Sequence, residues 1–105
     1  MKMIRAIIRP EKEEEVLRAL ELAGFPSMTK MDVFGRGKQK GIQVGSAVYD
    51  ELAKTMVMIV VEDALEEKAR ATIVESAKTG NFGDGKIFVS SVETALTIRT
   101  GKSGL

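Results

Sequence analysis

Residues 79–86 read TGNFGDGK, a glycine-rich stretch whose composition and spacing could bind a phosphate group. Gly80, four further residues, then Gly85 and Lys86 match the first seven positions of the mononucleotide-binding pattern GxxxxGK[ST]. The eighth position is Ile87, which has no hydroxyl group to hold Mg²⁺. Such a loop must also follow a strand and open a helix, whose N-terminus receives the phosphates. The surrounding pattern indicates a helix before the loop and a strand after it, which excludes a Walker A loop.

Two interpretations of this stretch remain. Gly83, Asp84 and Gly85 would let backbone N–H groups approach an anion closely, and Lys86 would add a positive charge beside them. The alternative is a helix C-cap that continues into a tight turn. On the local sequence alone, the turn is the favoured interpretation.

A second glycine stretch, FGRGKQKG, occupies residues 34–41. Its third glycine, Gly41, is one place late for a dinucleotide fingerprint, and no helix follows. The stretch suits phosphate or carboxylate because of its four side-chain donors. The donors are Arg36, Lys38, Gln39 and Lys40. The alternative, favoured on this stretch alone, is a solvated basic hairpin.

A third signal, TIRTG at residues 97–101, places Arg99 on a short predicted strand near the end of the chain. Alone it indicates little. Three weak anion-binding signals in 105 residues gain weight only if the fold or an oligomer brings them together.

Composition excludes several kinds of chemistry. The chain has no cysteine and no histidine, so it lacks thiolate chemistry and the commonest general base and transition-metal ligand. A net charge of +1 without a run of one sign argues against nucleic-acid binding. The apolar runs are too short for a membrane segment and no signal-like segment opens the chain, so we expect a cytoplasmic protein.

The elements that must position these residues follow from apolar periodicity. Strands are predicted at residues 3–8, 28–34, 55–61 and 86–92, with a short fifth at 95–100. The first helix begins at Pro10 and ends at Gly24. The second begins at a predicted capping box, residues 63–66, and Gly80 takes the position of its C-terminal glycine.

This order predicts one α+β domain, a β-α-β-β-α-β subunit of the ferredoxin-like type with a long loop between strands 2 and 3. Two helices cover only one face of a four-stranded sheet. Met56, Met58 and Val60 are candidates for the other face, so we expect self-association.

Taken together, FGRGKQKG, TGNFGDGKIFV and TIRTG, in this order and spacing, resemble the PII signal-transduction proteins. The resemblance covers nearly the whole chain, including the opening MKMIRAIIRPEK, and TGxxGDGKIF is a highly specific signature. The central stretch, GRGKQKGIQVG followed by YDELAKTMVMIVV, looks most like the nitrogenase-associated branch of nitrogen-fixing archaea and some bacteria.

The resemblance implies a single PII-like domain over residues 1–105 that forms a homotrimer. Co-assembly with a sister PII-like paralogue is the alternative that it leaves open. Such proteins are sensors rather than enzymes: they bind ATP or ADP and 2-oxoglutarate in clefts between subunits. A T-loop, here about residues 37–54, docks on the target. The target implied is a nitrogenase component; an ammonium transporter or a nitrogen-assimilation enzyme is the alternative. Since the chain has no His, no Cys and no obvious activated nucleophile, a small ATPase is disfavoured.

The resemblance also assigns site residues by position. The nucleotide cleft would be lined by Ile7, Thr29, Gly35, Gly37, Lys38, Gln39, Val60, Gly83, Asp84, Gly85, Lys86 and Arg99. Gln39 matches the Mg²⁺ ligand that works with the ATP phosphates and also touches 2-oxoglutarate. Lys54 matches the lysine for the distal carboxylate, and the N–H groups near Lys40 and Gly41 match its backbone cradle. TGNFGDGK is then a phosphate loop, half of a cleft that a neighbouring subunit completes.

Three positions depart from the family's pattern. Lys38 stands where many members have arginine, which keeps the charge but loses the bidentate fork. Thr97 stands where they have a second arginine. Tyr49 lies in the loop, but it is not a secure counterpart of the tyrosine that is covalently modified in some members of the family.

Overall fold

The structure is a computed structural model that describes residues 1–36, 42–44, 47–49 and 51–105. Its strands are β1 (Lys2–Ile8), β2 (Thr29–Gly35), β3 (Ile42–Val44), β4 (Ala47–Tyr49), β5 (Leu52–Val61) and β6 (Lys86–Ser91). Its α-helices are α1 (Glu13–Leu22) and α2 (Glu66–Ala77), each preceded by a three-residue 3₁₀ segment. None of the helices in these ranges is long and apolar enough to cross a membrane.

Four strands form one antiparallel sheet in the order β2-β5-β1-β6. The short strands β3 and β4 pair with each other, apart from this sheet. Residues of both helices join one buried cluster with β1 and β5, so the helices cover one face of the sheet. Two helices on a four-stranded antiparallel sheet confirm the predicted α+β fold of the ferredoxin-like type.

Strand alternation separates the two faces of the sheet. On β1 and β5, every second residue is buried under the helices: Ile4, Ala6, Ile8, Thr55, Val57, Ile59 and Val61. The helices contribute residues at helical spacing, Val16 and Leu20 from α1 and Ala69, Ile73 and Ala77 from α2. This cluster is the hydrophobic core, and it leaves the opposite face of the sheet without a covering layer from the described chain.

The uncovered face, which we call the open face, carries Met56, Met58 and Val60 as predicted. Each is partly exposed, and Met56 lies between Ile7 on β1 and Met31 on β2. The predicted apolar face therefore exists, while self-association through it stays a prediction.

The predicted capping box at residues 63–66 is wrong. Asp63–Leu65 forms a 3₁₀ segment with Glu62 at its N-cap, and no side chain caps it. The Asp63 carboxylate instead lies 3.0 Å from the N-terminal ammonium of Met1. This contact across the fold takes the side-chain oxygen that a local cap would need.

Two other element ends differ from the prediction. β5 begins at Leu52, three residues before the predicted start, because Gly35 at the end of β2 pairs with it. α2 ends at Ala77 and its C-cap, Lys78, is extended. Gly80 is therefore not the C-terminal glycine of α2, although its φ of +88° is left-handed. Gly24, with φ of +96°, does follow the end of α1 as predicted.

The predicted fifth strand at residues 95–100 is also wrong. Residues 95–104 form a turn with one isolated bridge, Leu96 to Ser103, closed by a hydrogen bond from the Thr97 N–H to the Lys102 carbonyl. No strand of the described chain lies beside this segment to extend the bridge into a ladder. Arg99 therefore lies in a turn rather than on a strand.

Candidate functional site

The loop between α2 and β6, residues 78–85, is organised by one carboxylate; we call it the glycine loop. Asp84 accepts hydrogen bonds from the Thr79 N–H at 2.9 Å, from the Gly80 N–H at 2.8 Å and from the Thr79 hydroxyl. The carboxylate thus closes the start of the loop onto its end. The Asp84 side chain is occupied by the loop itself, which leaves the backbone to meet a ligand.

Arg9, directly after β1, fastens this loop to the sheet. Its Nε donates to Asp84 Oδ1 at 3.0 Å, and its Nη2 donates to the Phe82 carbonyl at 2.6 Å. Sequence reasoning missed Arg9, because an arginine that follows an apolar strand has no spacing relation to a loop 75 residues later. The only sequence signal for the internal bonds was the Thr79–Asp84 pair within the TGxxGDGK signature.

These donors hold the pKa of Asp84 far below its ordinary value. The Thr79 hydroxyl makes the largest contribution, followed by the Thr79 N–H and the Arg9 guanidinium. The side chain is therefore ionised at neutral pH and remains a hydrogen-bond acceptor. A carboxylate in this state organises a loop and is unsuited to act as a general acid.

Two glycines let the loop pass close to its neighbours. At Gly85, with φ of +100°, a Cβ atom would lie 1.7 Å from the Ile7 carbonyl oxygen, a distance no side chain tolerates. At Gly83, with φ of +96°, a Cβ atom would lie 3.2 Å from Nη2 of Arg9. Glycine is therefore required at residue 85 by close backbone approach and a left-handed conformation, and it is favoured at residue 83 by a left-handed conformation.

Two lysines stand at the same edge of the sheet as this loop. Lys54 on β5 donates from Nζ to the Gly83 carbonyl at 2.5 Å and is partly buried. Lys86 is exposed at the start of β6 and pairs with Ile7 on the open face. The edge thus combines glycine backbone with two ammonium groups, a donor set that suits an anion.

A cavity of ≈ 330 Å³ lies beneath the glycine loop. Ile8 and Ile87 of the sheet and Ile73 of α2 supply apolar walls. Four residues predicted for the nucleotide cleft also line the cavity: Ile7, Asp84, Gly85 and Lys86. The structure therefore brings these four together in one subunit.

The comparison with known proteins decides the family. The sequence profile described as "Nitrogen regulatory protein P-II" matches residues 1–102. The chain belongs to the PII family. This membership confirms the family that the order and spacing of the three motifs implied.

Several named proteins are similar to this PII chain over nearly its whole length. "Nitrogen fixation nifHD region GlnB-like protein 1" of Methanothermobacter marburgensis is 62% identical over 105 residues and covers both chains completely. "Nitrogen fixation nifHD1 region GlnB-like protein 1" of Methanosarcina barkeri is 61% identical, again over the full length of both. "Nitrogen regulatory protein P-II 2" of Methanothermobacter thermautotrophicus is 52% identical over 108 residues, covering 99% of this chain and 94% of its own.

The predicted ligand residues of this PII chain fall into two separate groups. One, the loop-edge group, comprises Ile7, Gly35, Lys54 and residues 83–86. The other, the far group, comprises Thr29 and Val60 on the same open face. Along the strand direction, Val60 lies four residues from Met56, the partner of Ile7, or about 13 Å, and Thr29, which pairs with Met58, lies two residues away, or about 7 Å.

The other predicted residues belong to neither group. Arg99 lies exposed in the C-terminal turn. Five more, Gly37, Lys38, Gln39, Lys40 and Gly41, lie outside the described residues. In the described part of the chain, no three acidic side chains come together as a metal site.

Proposed function

We propose that this PII-family protein is a nitrogen regulator without enzymatic activity. It binds ATP or ADP, with Mg²⁺, and 2-oxoglutarate in clefts between the subunits of a homotrimer. It then regulates nitrogenase by direct contact through its T-loop. Family membership supports the regulatory role, and the names of its relatives, which refer to the nitrogen-fixation nifHD region, favour nitrogenase as the target.

The single observation that carries the proposal is the separation of the two groups. The loop-edge group offers phosphate-binding backbone and ammonium groups at one end of the open face, and the far group lies about 7 Å (Thr29) to about 13 Å (Val60) away on that same face. Both groups lie on a face that the described chain leaves uncovered, so within one subunit they form an open surface rather than a closed cleft. A second copy packed against the open face would bring its far group to the first copy's loop edge.

The donor set at the loop edge fits the phosphate part of a nucleotide. Backbone N–H groups at left-handed glycines form a concave anion site, and Lys86 adds a full charge beside it. Gln39 is proposed as the Mg²⁺ ligand that works with the phosphates, because an amide oxygen is a hard ligand suited to that ion. Val60 and Ile7 would supply apolar contacts for the base.

For 2-oxoglutarate, Lys54 would pair with the distal carboxylate, and the N–H groups near Lys40 and Gly41 would form its backbone cradle. Gln39 would make this site dependent on bound MgATP. Linkage then requires that 2-oxoglutarate tighten ATP by the factor by which ATP tightens 2-oxoglutarate. The protein would report energy and nitrogen status jointly.

Calorimetry on the full chain tests the ligands. We expect MgATP to bind, 2-oxoglutarate to bind only when MgATP is present, and Lys86→Ala to weaken ATP about tenfold through loss of a charge-assisted contact. Thr94→Ala, in an exposed segment after β6, is the control and should bind as the wild type does. Tight 2-oxoglutarate binding without ATP and Mg²⁺ would refute the shared site.

A pull-down from nitrogen-fixing cells tests the target. We expect a nitrogenase component to be retained, with the amount changing when MgATP and 2-oxoglutarate are added. A chain lacking residues 42–49, which include β3 and β4, is the matched control. Retention of an ammonium transporter or an assimilation enzyme instead would establish the alternative target.

A further inference from the structure

Two cationic side chains donate hydrogen bonds to consecutive carbonyl oxygens of the glycine loop. Arg9 donates from Nη2 to the Phe82 carbonyl at 2.6 Å, and Lys54 donates from Nζ to the Gly83 carbonyl at 2.5 Å. The donors come from different elements, the end of β1 and the start of β5. The two bonds therefore tie one short piece of loop to both central strands of the sheet.

These bonds determine which way the loop's amides face. In a planar trans peptide the C=O and the N–H of one unit point in opposite directions. With the Phe82 carbonyl turned to Arg9, the Gly83 N–H points away from Arg9. With the Gly83 carbonyl turned to Lys54, the Asp84 N–H likewise points away from Lys54. Two successive N–H groups of the loop, those of Gly83 and Asp84, therefore point away from the side chains that hold the loop.

Other donors of the loop are already used. The N–H groups of Thr79 and Gly80 donate to the Asp84 carboxylate, and that of Asn81 donates to the Thr79 hydroxyl. Within the described ranges, no hydrogen bond of the Gly83 or Asp84 N–H is found. Successive unpaired N–H groups beside a left-handed glycine form a concave anion site.

We propose that Arg9 and Lys54 are positioning residues for the phosphate group of the nucleotide. They act together as a carbonyl clamp that presents the Gly83 and Asp84 N–H groups to the ligand. This rests on the proposed nucleotide binding. It gives Lys54 a role that does not require 2-oxoglutarate, and it gives Arg9 a role in binding although, among the described residues, the hydrogen bonds of its side chain go to the loop.

Amide chemical shifts of the wild-type protein test the geometry without any substitution. Adding ATP in the absence of 2-oxoglutarate should shift the Gly83 and Asp84 amide resonances downfield, with the Thr79 and Gly80 amides moving far less. Downfield shifts at Gly83 and Asp84 support the clamp. Unchanged Gly83 and Asp84 resonances at saturating ATP would overturn it.

Substitution of Lys54 tests its effect on affinity. Lys54→Met should weaken ATP about tenfold with no 2-oxoglutarate present, and should move the Gly83 and Asp84 resonances in the ligand-free protein. Lys54→Arg, which keeps a donor, should restore most of the affinity. Lys86→Met is the matched charge control: it should weaken ATP but leave the ligand-free resonances of those two amides in place.

Arg9 gives a second, independent variant. Arg9→Met should weaken ATP and alter the same two ligand-free resonances, whereas Arg18→Met, at an exposed position on α1, should do neither. The outcomes separate the two proposals. A wild-type protein that binds no ATP overturns nucleotide binding and the clamp together. Lys54→Met protein with wild-type ATP affinity, having lost only 2-oxoglutarate binding, overturns the clamp and leaves the proposed function standing.

Discussion

At the scale of single residues, Asp84 makes the glycine loop sensitive to acid. Its folded-state pKa lies below the unfolded value of about 4, because the Thr79 hydroxyl, the Thr79 N–H and Arg9 all stabilise the charged form. A depressed pKa contributes stability that is fully present above the unfolded pKa and is lost as the pH falls below it. At a pH between the folded and the unfolded pKa, the unfolded state binds a proton at Asp84 and the folded state does not.

Asp84→Asn should remove this acid sensitivity. We expect the variant to be less stable than the wild type by a constant amount between pH 5 and 8, and the difference to shrink as the pH falls below about 4. Urea denaturation across this pH range measures it. A difference that already shrinks between pH 7 and pH 5 would contradict the assignment.

Thr55 is a buried polar residue in an otherwise apolar layer. Its side chain is 1% exposed between β1 and β2, and in the described structure its hydroxyl has no hydrogen-bond partner. An unpaired buried hydroxyl costs more than an apolar group of the same shape. Thr55→Val should therefore stabilise the fold by about 1 kcal/mol. Thr94→Val, at an exposed position, is the control; a less stable Thr55→Val protein would show that the hydroxyl has a partner or a role.

At the scale of elements, the glycine loop needs glycine for two different reasons, which are a left-handed backbone conformation and a lack of space for a Cβ atom. Gly85 and Gly80 both have positive φ, but only at Gly85 would an added Cβ atom meet a backbone oxygen, at 1.7 Å. A Cβ atom at Gly80 would have no neighbour within 4 Å. Gly80→Ala should cost about 1 kcal/mol for its left-handed conformation, whereas Gly85→Ala should cost on the order of 3 kcal/mol or more. Thermal unfolding of the two variants compares them, and equal losses would contradict the steric account.

The elements show what the sequence could and could not predict. Apolar periodicity located the four sheet strands and both helices, because alternation and helical spacing are local properties of the chain. The capping box at residues 63–66 failed because Asp63 is used by the N-terminus of Met1, a partner 62 residues away in the chain. The fifth strand failed for the related reason that a strand needs a neighbour, and residues 95–100 have none in the described fold.

In the candidate site, too, some features could be predicted from the sequence and others depend on the fold. The GDG loop and Lys86 could be recognised as anion-binding candidates from type and spacing alone. Arg9 and the Lys54–Gly83 bond could not, since they depend on which strands the fold sets side by side. A register of paired strands, rather than any motif, shows that Thr29 and Val60 lie away from the loop edge.

At the scale of the whole molecule, the open face links assembly to ligand binding. It carries Met56, flanked by Ile7 and Met31, in an apolar row across three strands. If copies pack through this face, a charge at its centre must be buried at a cost of several kcal/mol. The same packing would complete the ligand cleft, so loss of the trimer should also remove nucleotide binding.

Met56→Glu should therefore give a folded monomer that no longer binds ATP, while the wild type sediments as a trimer. Ile7 and Met31, which flank residue 56 on the two neighbouring strands, are both apolar, and the cation of this row, Lys86, lies one strand further away on β6. A glutamate at residue 56 would therefore be buried in the assembly with no cation directly opposite it. Leu22→Glu, at a position 78% exposed on α1 and away from the open face, is the control and should remain trimeric. Sedimentation velocity and calorimetry on the same samples measure both effects. A monomeric wild type, or a trimeric Met56→Glu protein with full ATP affinity, would show that the open face is not the interface that builds the cleft.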